Sequence, residues 1–254
     1  MSEVGFIEKS TLEAIGSAVR NKEGTTDLIP VNTLADRIAA LPSGVSKLPQ
    51  VIDRTVTEIT AEDLAGVTII GDYAFYGSPQ LKSVAIPNSV TWIKQSAFKD
   101  CTSLTSVTIP DSVTSIGEGA FKDCTSLTSA TVGNGVKSIG EGAFYRCKNL
   151  SAISLGNNVK TIGSYVFTEC DTLQYVTLPA SITSLDAYVF RKDKQLNKWM
   201  LTFLGTTPPS IKTNTFFNIA TDFEKIIVPK GCGEAYKTAT NWANFADYIE
   251  EATE

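Results

Sequence analysis

From residue 67 to residue 204 the apolar positions follow one pattern of 23 residues, repeated six times. Phe75, Phe98, Phe121, Phe144, Phe167 and Phe190 mark one place in it. Leu81, Leu104, Leu127, Leu150, Leu173 and Leu196 mark a second, and Ile70, Ile93, Ile116, Ile139, Ile162 and Leu185 a third. Self-similarity at a period of this length is the signature of a solenoid. In the unit LTSVTIPDSVTSIGEGAFKDCTS, residues 104–126, the segment L-x-x-V-x-I predicts a short strand. Val107 and Ile109 alternate with Ser106 and Thr108, so one face turns inward and the other shows hydroxyls. Pro110 ends the strand because it cannot donate to a ladder. V-x-x-I-G predicts a second extended piece turning at glycine (Gly117, Gly140, Gly163), and A-F-x-x-C a tight helical or 3₁₀ turn that returns the chain. One such coil cannot bury enough to stand alone; stacked coils share a core and backbone hydrogen bonds.

The flanks read differently. Ser10-Thr11-Leu12-Glu13 is a capping box, followed by Leu12, Ile15 and Val19 on one helical face up to Gly24. Thr33 then caps a second stripe of Leu34, Ile38 and Leu41, ended by Pro42 and Gly44. Residues 1–44 are thus expected to form a helical hairpin, either packing on the first coil or serving as an attachment or oligomerisation element. Residues 45–66 are expected to form the N-terminal cap of the solenoid, with a first cap strand over Thr55–Ile59 and a second capping box over Thr60–Asp63. Residues 205–254 are expected to form a C-terminal cap, in which Ile226–Val228 predicts a last strand, and Ala235, Tyr236, Ala239, Trp242, Phe245 and Ile249 recur at three and four as an amphipathic cap helix.

Composition narrows the function. With 254 residues, 43% apolar content and a net charge of −5, the chain can fill a core and is not expected to bind nucleic acid. Its longest apolar runs are far shorter than the ~20 residues of a bilayer helix, so no membrane insertion is expected. The start, MSEVGFIEKST, has no basic segment leading into an apolar stretch and predicts no N-terminal export signal. There is no histidine, which removes the Ser-His and Cys-His pairs and the commonest zinc ligand. Cys101, Cys124, Cys147 and Cys170 occupy one place in successive units; their side chains point in parallel, so buried thiols are expected rather than disulfides. Ser78 and Asp193 replace cysteine at the two ends, where the slot is expected to be less enclosed. Nothing has metal-ligand spacing, no phosphate loop or cofactor motif is present, and acid pairs such as Asp111 with Glu118 sit in turns. No catalytic residue, cofactor or metal is expected.

Candidate binding residues come from departures within the repeat. An exposed ring gains burial on meeting a partner. Trp92 stands where other units have Ser115, Ser138, Thr161 and Ser184. Tyr73, Tyr165 and Tyr188 share one slot with Ser96, Gly119 and Gly142, and Tyr76 and Tyr145 share another with Lys99 and Lys122. Thr108, Thr131 and Tyr175 lie on the outward strand positions, a flat face fit for a glycan or an extended peptide. Trp199 takes the inward slot of Val107 and Val176 and is expected in the core.

Two resemblances complete the picture. The units SAFKDCTSLTSVTIPDSVTSIG and GAFYRCKNLSAISLGNNVKTIG resemble BspA-type leucine-rich repeats, found in microbial surface proteins, over about residues 55 to 229. The tail TTPPSIKTNTFFNIATDFEKIIVPKGCGEAYKTATNWANFADYI is similar to that family's closing segment. This resemblance implies an α+β solenoid with a C-terminal strand and helix, and adhesion or protein binding without a common catalysis. LEAIGSAVRNKEGTTDLIPVNTLADRIAAL resembles a helical segment of phage and prophage tail and fibre proteins of Gram-positive hosts. Its core here is Ala18-Val19-Arg20-Asn21-Lys22-Glu23-Gly24-Thr25-Thr26, with valine and glutamate departing from the pattern. The lead-in LPQVIDRTVTEITAEDLAGVTIIGDYAF resembles the same proteins. That implies a virion protein, assembled in the bacterial cytoplasm, attached to other tail proteins through residues 1–44 and facing a bacterial surface protein or glycan. The alternative is a cell-surface adhesin, and a homo-oligomer through the hairpin or a solenoid face stays open.

Overall fold

A computed structural model describes residues 56–191, 199–216 and 223–253. The expected hairpin of residues 1–44, most of the lead-in, Leu196 and Asp193 lie outside the described residues.

The V-x-x-I pieces stack into a parallel sheet of seven two-residue strands, Ile69–Ile70, Trp92–Ile93, Ser115–Ile116, Ser138–Ile139, Thr161–Ile162, Ser184–Leu185 and Ser210–Ile211. The L-x-x-V-x-I pieces form a second, interrupted ladder. Glu58–Ile59 pairs with Ser83–Val84; Ser106–Ile109, Ser129–Val132 and Ala152–Ser154 form one sheet; Tyr175–Leu178, Trp199–Phe203, Phe223–Val228 and Ile249–Glu251 form another, all parallel. Between the ladders runs a column of buried phenylalanines. Phe75, Phe98, Phe121, Phe144, Phe167 and Phe190 stack ring on ring at 4.8 to 6.1 Å. Phe216 adds a seventh ring, 6.0 Å from Phe190, beyond the six expected.

The class is a β-solenoid with few helices rather than an evenly mixed α+β fold. The A-F-x-x-C piece is a series of turns with bonds from residue i to i−3, such as Lys122 N–H to Gly119 O at 3.0 Å and Cys124 N–H to Phe121 O at 3.3 Å. Left-handed residues at positions 119 and 123 stop it from extending into a 3₁₀-helix. The expected helix over 235–249 is also broken. A six-residue helix, Gly233–Thr238, gives way to a 3₁₀ segment, Ala243–Tyr248, and then to the strand Ile249–Glu251, which pairs with Ile226–Val228. Asn241, at φ +69°, donates through Nδ2 to Ile211 O at 2.7 Å, and Trp242 Nε1 donates to Pro209 O at 3.0 Å. Both side chains are thereby tied to the last coil, which outweighs the helical periodicity.

Three further expectations change. Trp199 is buried, but the period slips: Leu201 takes the place opposite Val176, and Tyr175 pairs with Met200, 25 residues on. Ser78 is buried, so its end slot is enclosed after all. Gly117, Gly140 and Gly163 are needed for coil-on-coil approach, since a Cβ at Gly117 would lie 2.5 Å from the backbone of Lys94 and one at Gly163 2.8 Å from that of Glu141.

Hydroxyls tie coil to coil. Thr114 and Thr128 donate to the carbonyls of Thr91 and Thr105, 23 residues back, at 3.0 Å each, and Ser112 donates to Val90 O at 2.7 Å. Much of the Ser/Thr content is therefore scaffold. The capping box at Thr60–Asp63 forms as expected, with Thr60 N–H donating to Asp63 Oδ2 at 2.8 Å and Asp63 N–H to Thr60 Oγ1 at 3.2 Å.

The ladder cysteines are buried free thiols. Each S–H donates to a phenylalanine carbonyl of the coil before: Cys101 to Phe75 and Cys170 to Phe144 at 3.2 Å, Cys124 to Phe98 and Cys147 to Phe121 at 3.1 Å. Burial raises the Cys101 thiol from 9.0 to about 12, and raises Cys124 and Cys147 as well. Below pH 9 folded and unfolded thiols both keep their protons and stability is level. Above it only the unfolded thiols ionise, so stability falls as pH rises, by on the order of 1 kcal/mol per thiol for each pH unit. Urea midpoints between pH 7 and 11 are expected to be flat to about pH 9 and then to drop, and Cys124→Ser should soften the drop.

Candidate functional site

At the corner after each V-x-x-I-G strand the chain adopts a left-handed residue. The φ angles are 58° at Tyr73, 51° at Ser96, 57° at Gly119, 58° at Gly142, 60° at Tyr165 and 57° at Tyr188. These six residues form a column along one corner of the solenoid. Glycine takes this backbone without strain; another L-residue held there costs roughly 1–2 kcal/mol. Tyrosine holds it three times. Tyr73→Gly is therefore expected to be about 1 kcal/mol more stable than Tyr73→Ala, read as a higher urea midpoint, since both lose the same ring.

Where the column carries Ser96, Gly119 and Gly142 the surface sinks into a trough of about 490 Å³, with Tyr73 at one end and Tyr165 at the other. It is lined by Gln95, Glu118 and Glu141, which share one slot of the repeat, by Lys99, Lys122 and Tyr145, which share another, and by Thr168, Glu169 and Arg191. Tyr165 is backed by Tyr188, ring centroids 5.0 Å apart and 13° from parallel. Tyr76 meets Tyr73 edge-on at 5.9 Å and lies under Lys99 Nζ at 5.3 Å. Lys122 Nζ sits 4.9 Å over the Tyr145 ring. The Tyr145 hydroxyl donates to Glu169 Oε1 at 2.9 Å, and Arg146 Nε donates to Glu169 Oε2 at 3.1 Å. Glu169 and then Asp123, 3.7 Å away, hold the Arg146 guanidinium even more firmly protonated than usual. Tyr145 is thereby fixed in place before any ligand arrives.

Of the candidates read from sequence, Tyr73, Tyr145 and Tyr165 line the trough, and Tyr76 and Tyr188 support its ends. The others are elsewhere. Trp92 lies on the seven-stranded sheet, 43% exposed, with Lys94 Nζ 4.8 Å from its ring. Thr108 and Thr131 are exposed and paired in register on the other ladder, and Tyr175, 61% exposed, stands further along that side. The trough's charged lining, with Glu118, Glu141, Lys99 and Lys122, was not among the candidates. The signal for them was present, since the lysines share a slot with Tyr76 and Tyr145. Among the described residues no group of His, Cys, Asp and Glu could hold a metal ion, and no helix is long and apolar enough to cross a membrane.

The family described as the BspA-type leucine-rich repeat region, in six copies, matches residues 68–197 and 127–242. This chain belongs to the BspA-type leucine-rich repeat family. Its scaffold is of the kind that serves protein interaction without catalysis. Among solved structures, this BspA-type chain is similar to the T. pallidum leucine-rich repeat protein TpLRR, with 32% identity over 65% of this chain and 71% of that one and a TM-score of 0.47. It is also similar to a leucine-rich repeat protein from Bacteroides ovatus (20% identity, 72% of this chain, 62% of that one, TM-score 0.40) and to the pneumococcal vaccine antigen PcpA (17%, 76%, 65%, 0.36). The chain thus spans under two thirds of those last two. No curated protein matches it.

Proposed function

We propose that this protein is a non-catalytic surface-recognition protein whose BspA-type solenoid presents the tyrosine-ended trough to a partner on a bacterial surface. The observation that carries the reading is the placement of Tyr73 and Tyr165 at left-handed positions where sister coils have glycine. A ring kept there in place of glycine, partly exposed and not required by the core, points to use by a ligand. The lining adds preformed charged and aromatic groups on a rigid stack, so little order has to be gained on binding.

The place of action that fits residues 1–44 is a phage or prophage tail, with that segment joined to other tail proteins. Its support is the resemblance of residues 12–41 to tail and fibre segments. A cell-surface adhesin is the second reading, favoured by the repeat family itself. Antibody labelling of induced bacterial cultures separates them: label on tail particles supports the first, label on intact cells without particles the second.

The trough is tested on whole cells with the full chain. Gly142→Tyr extends the tyrosine column into the trough with a residue that Tyr165 and Tyr188 already show to fit this backbone. It is expected to lower binding to Gram-positive cells at least about tenfold, a loss of about 1.4 kcal/mol, while Trp92→Ala and Thr108→Lys bind as the parent does. Equal binding by Gly142→Tyr and the parent would remove the trough from the reading.

A further inference from the structure

We infer that the ligand of the trough is a neutral oligosaccharide, an inference that rests on the trough being the recognition site. Three features of the trough select among ligand classes.

The first is charge. The trough is lined by Glu118, Glu141 and Glu169 and by Lys99, Lys122 and Arg191, three acidic and three basic groups. Neither a polyanion nor a polycation gains from so balanced a lining, because each favourable group is matched by an unfavourable one. The second is the backbone. The N–H groups of the floor are already spent between coils: Ser96 donates to Glu118 O and Gly119 to Glu141 O at 2.8 Å, and Gly142 to Ser164 O at 2.7 Å. An extended peptide laid here would find no strand edge to join, and its own N–H and C=O groups would lack the ladder that normally meets them.

The third feature is the match of side chains to hydroxyls. A carboxylate only accepts hydrogen bonds and an ammonium only donates, while a hydroxyl does both and so is satisfied by either kind of group. Hydrogen bonds to ionised groups are the stronger kind, and they need no charge on the ligand. Tyr165 supplies the remaining contact. Its ring is stacked on Tyr188 and so lies across the column; the next coil carries Gly142, and the outer ring face gives onto the trough. The C–H face of a pyranose ring covers such a surface while the hydroxyls at its rim reach Glu141. From Tyr73 to Tyr165 the trough crosses four coil spacings, about 19 Å at the usual strand separation of about 4.8 Å, which suits a chain of several sugars rather than one.

The full-length protein is applied to an array of neutral oligosaccharides, anionic oligosaccharides and peptides. Retention on a subset of neutral oligosaccharides is expected, falling at least tenfold in Gly142→Tyr and, independently, in Glu141→Ala combined with Tyr165→Leu, and unchanged in Trp92→Ala. Far-ultraviolet circular dichroism and melting curves accompany each variant. Retention should also change less than twofold as salt rises, because the ligand is uncharged. Retention on anionic ligands or peptides alone, retention that ignores both trough variants, or none at all, overturns the inference. The cell assay keeps the two readings apart. Trough-dependent binding that survives periodate oxidation of the cells and disappears on protease treatment removes the saccharide and leaves surface recognition standing; binding indifferent to Gly142→Tyr removes both.

Discussion

Phe121→Ala is expected to cost about 3–5 kcal/mol and to split the unfolding of the protein into two steps. The ring is fully buried, 5.1 Å from Phe98 and 5.3 Å from Phe144, so its removal leaves a cavity between two coils whose backbones are held in place by ladders on either side. The surroundings cannot collapse around it without breaking those ladders, which puts the cost at the upper end for a large-to-small change. In a solenoid each coil touches only its neighbours, and stability is close to a sum over interfaces. A lesion in the middle weakens two interfaces and uncouples the halves; the same lesion at the end weakens one. Urea denaturation should therefore show two transitions with smaller slopes for Phe121→Ala, and a single, shifted transition for Phe75→Ala. One transition in both would mean that the stack unfolds as one unit whatever the position of the damage.

Gly135→Ala should be nearly as harmful although it adds a single methyl group. A Cβ at Gly135 would fall inside the carbonyl oxygen of Asp111, one coil earlier, and would also lie 2.8 Å from Val113 O. These are backbone atoms, so nothing can rotate away. The neighbouring turn is pinned too: Asn134 N–H donates to Asp111 Oδ1 at 2.6 Å, and Asn157 N–H to Asn134 Oδ1 at 2.9 Å. The coils must part locally, at an expected cost of about 3 kcal/mol and a fall in melting temperature of roughly 10 °C. Gly66→Ala is the contrast. A Cβ there meets nothing within 4 Å, and the only penalty is its φ of +77°, a loss of about 1 kcal/mol. Similar melting temperatures for the two variants would show that coil spacing is not what glycine protects at position 135.

The repeat was legible because its apolar positions answer to one rigid period, and burial of Phe, Leu, Ile and Cys in register is a property that spacing alone fixes. The same reasoning stopped at Phe190, since the next ring, Phe216, is 26 residues on. The local signal survives there: Ile211 and Phe216 are five apart, as Ile93 and Phe98 are. The C-terminal helix failed for a different reason. Hydrogen bonds from Asn241 and Trp242 to the last coil outweigh periodicity, and such bonds have no trace in a pattern of apolar residues. For the trough, sequence singled out the tyrosines but could not tell which outward slots share a corner. That depends on the left-handed backbone at Tyr73, Ser96 and Tyr165, a conformation written plainly only where glycine stands.

Because every coil repeats the same corner, the distance from Tyr73 to Tyr165 can change only in whole steps. Excising residues 104–126 as a block would take out one glycine, one glutamate and one lysine of the trough together. It would draw the two tyrosines closer by a single coil spacing, about 4.8 Å, and duplicating the block would move them apart by as much. The solenoid is in this sense a ruler with jaws: recombination between near-identical 23-residue units resets the length that is measured, while the tyrosines that grip each end are carried along unaltered.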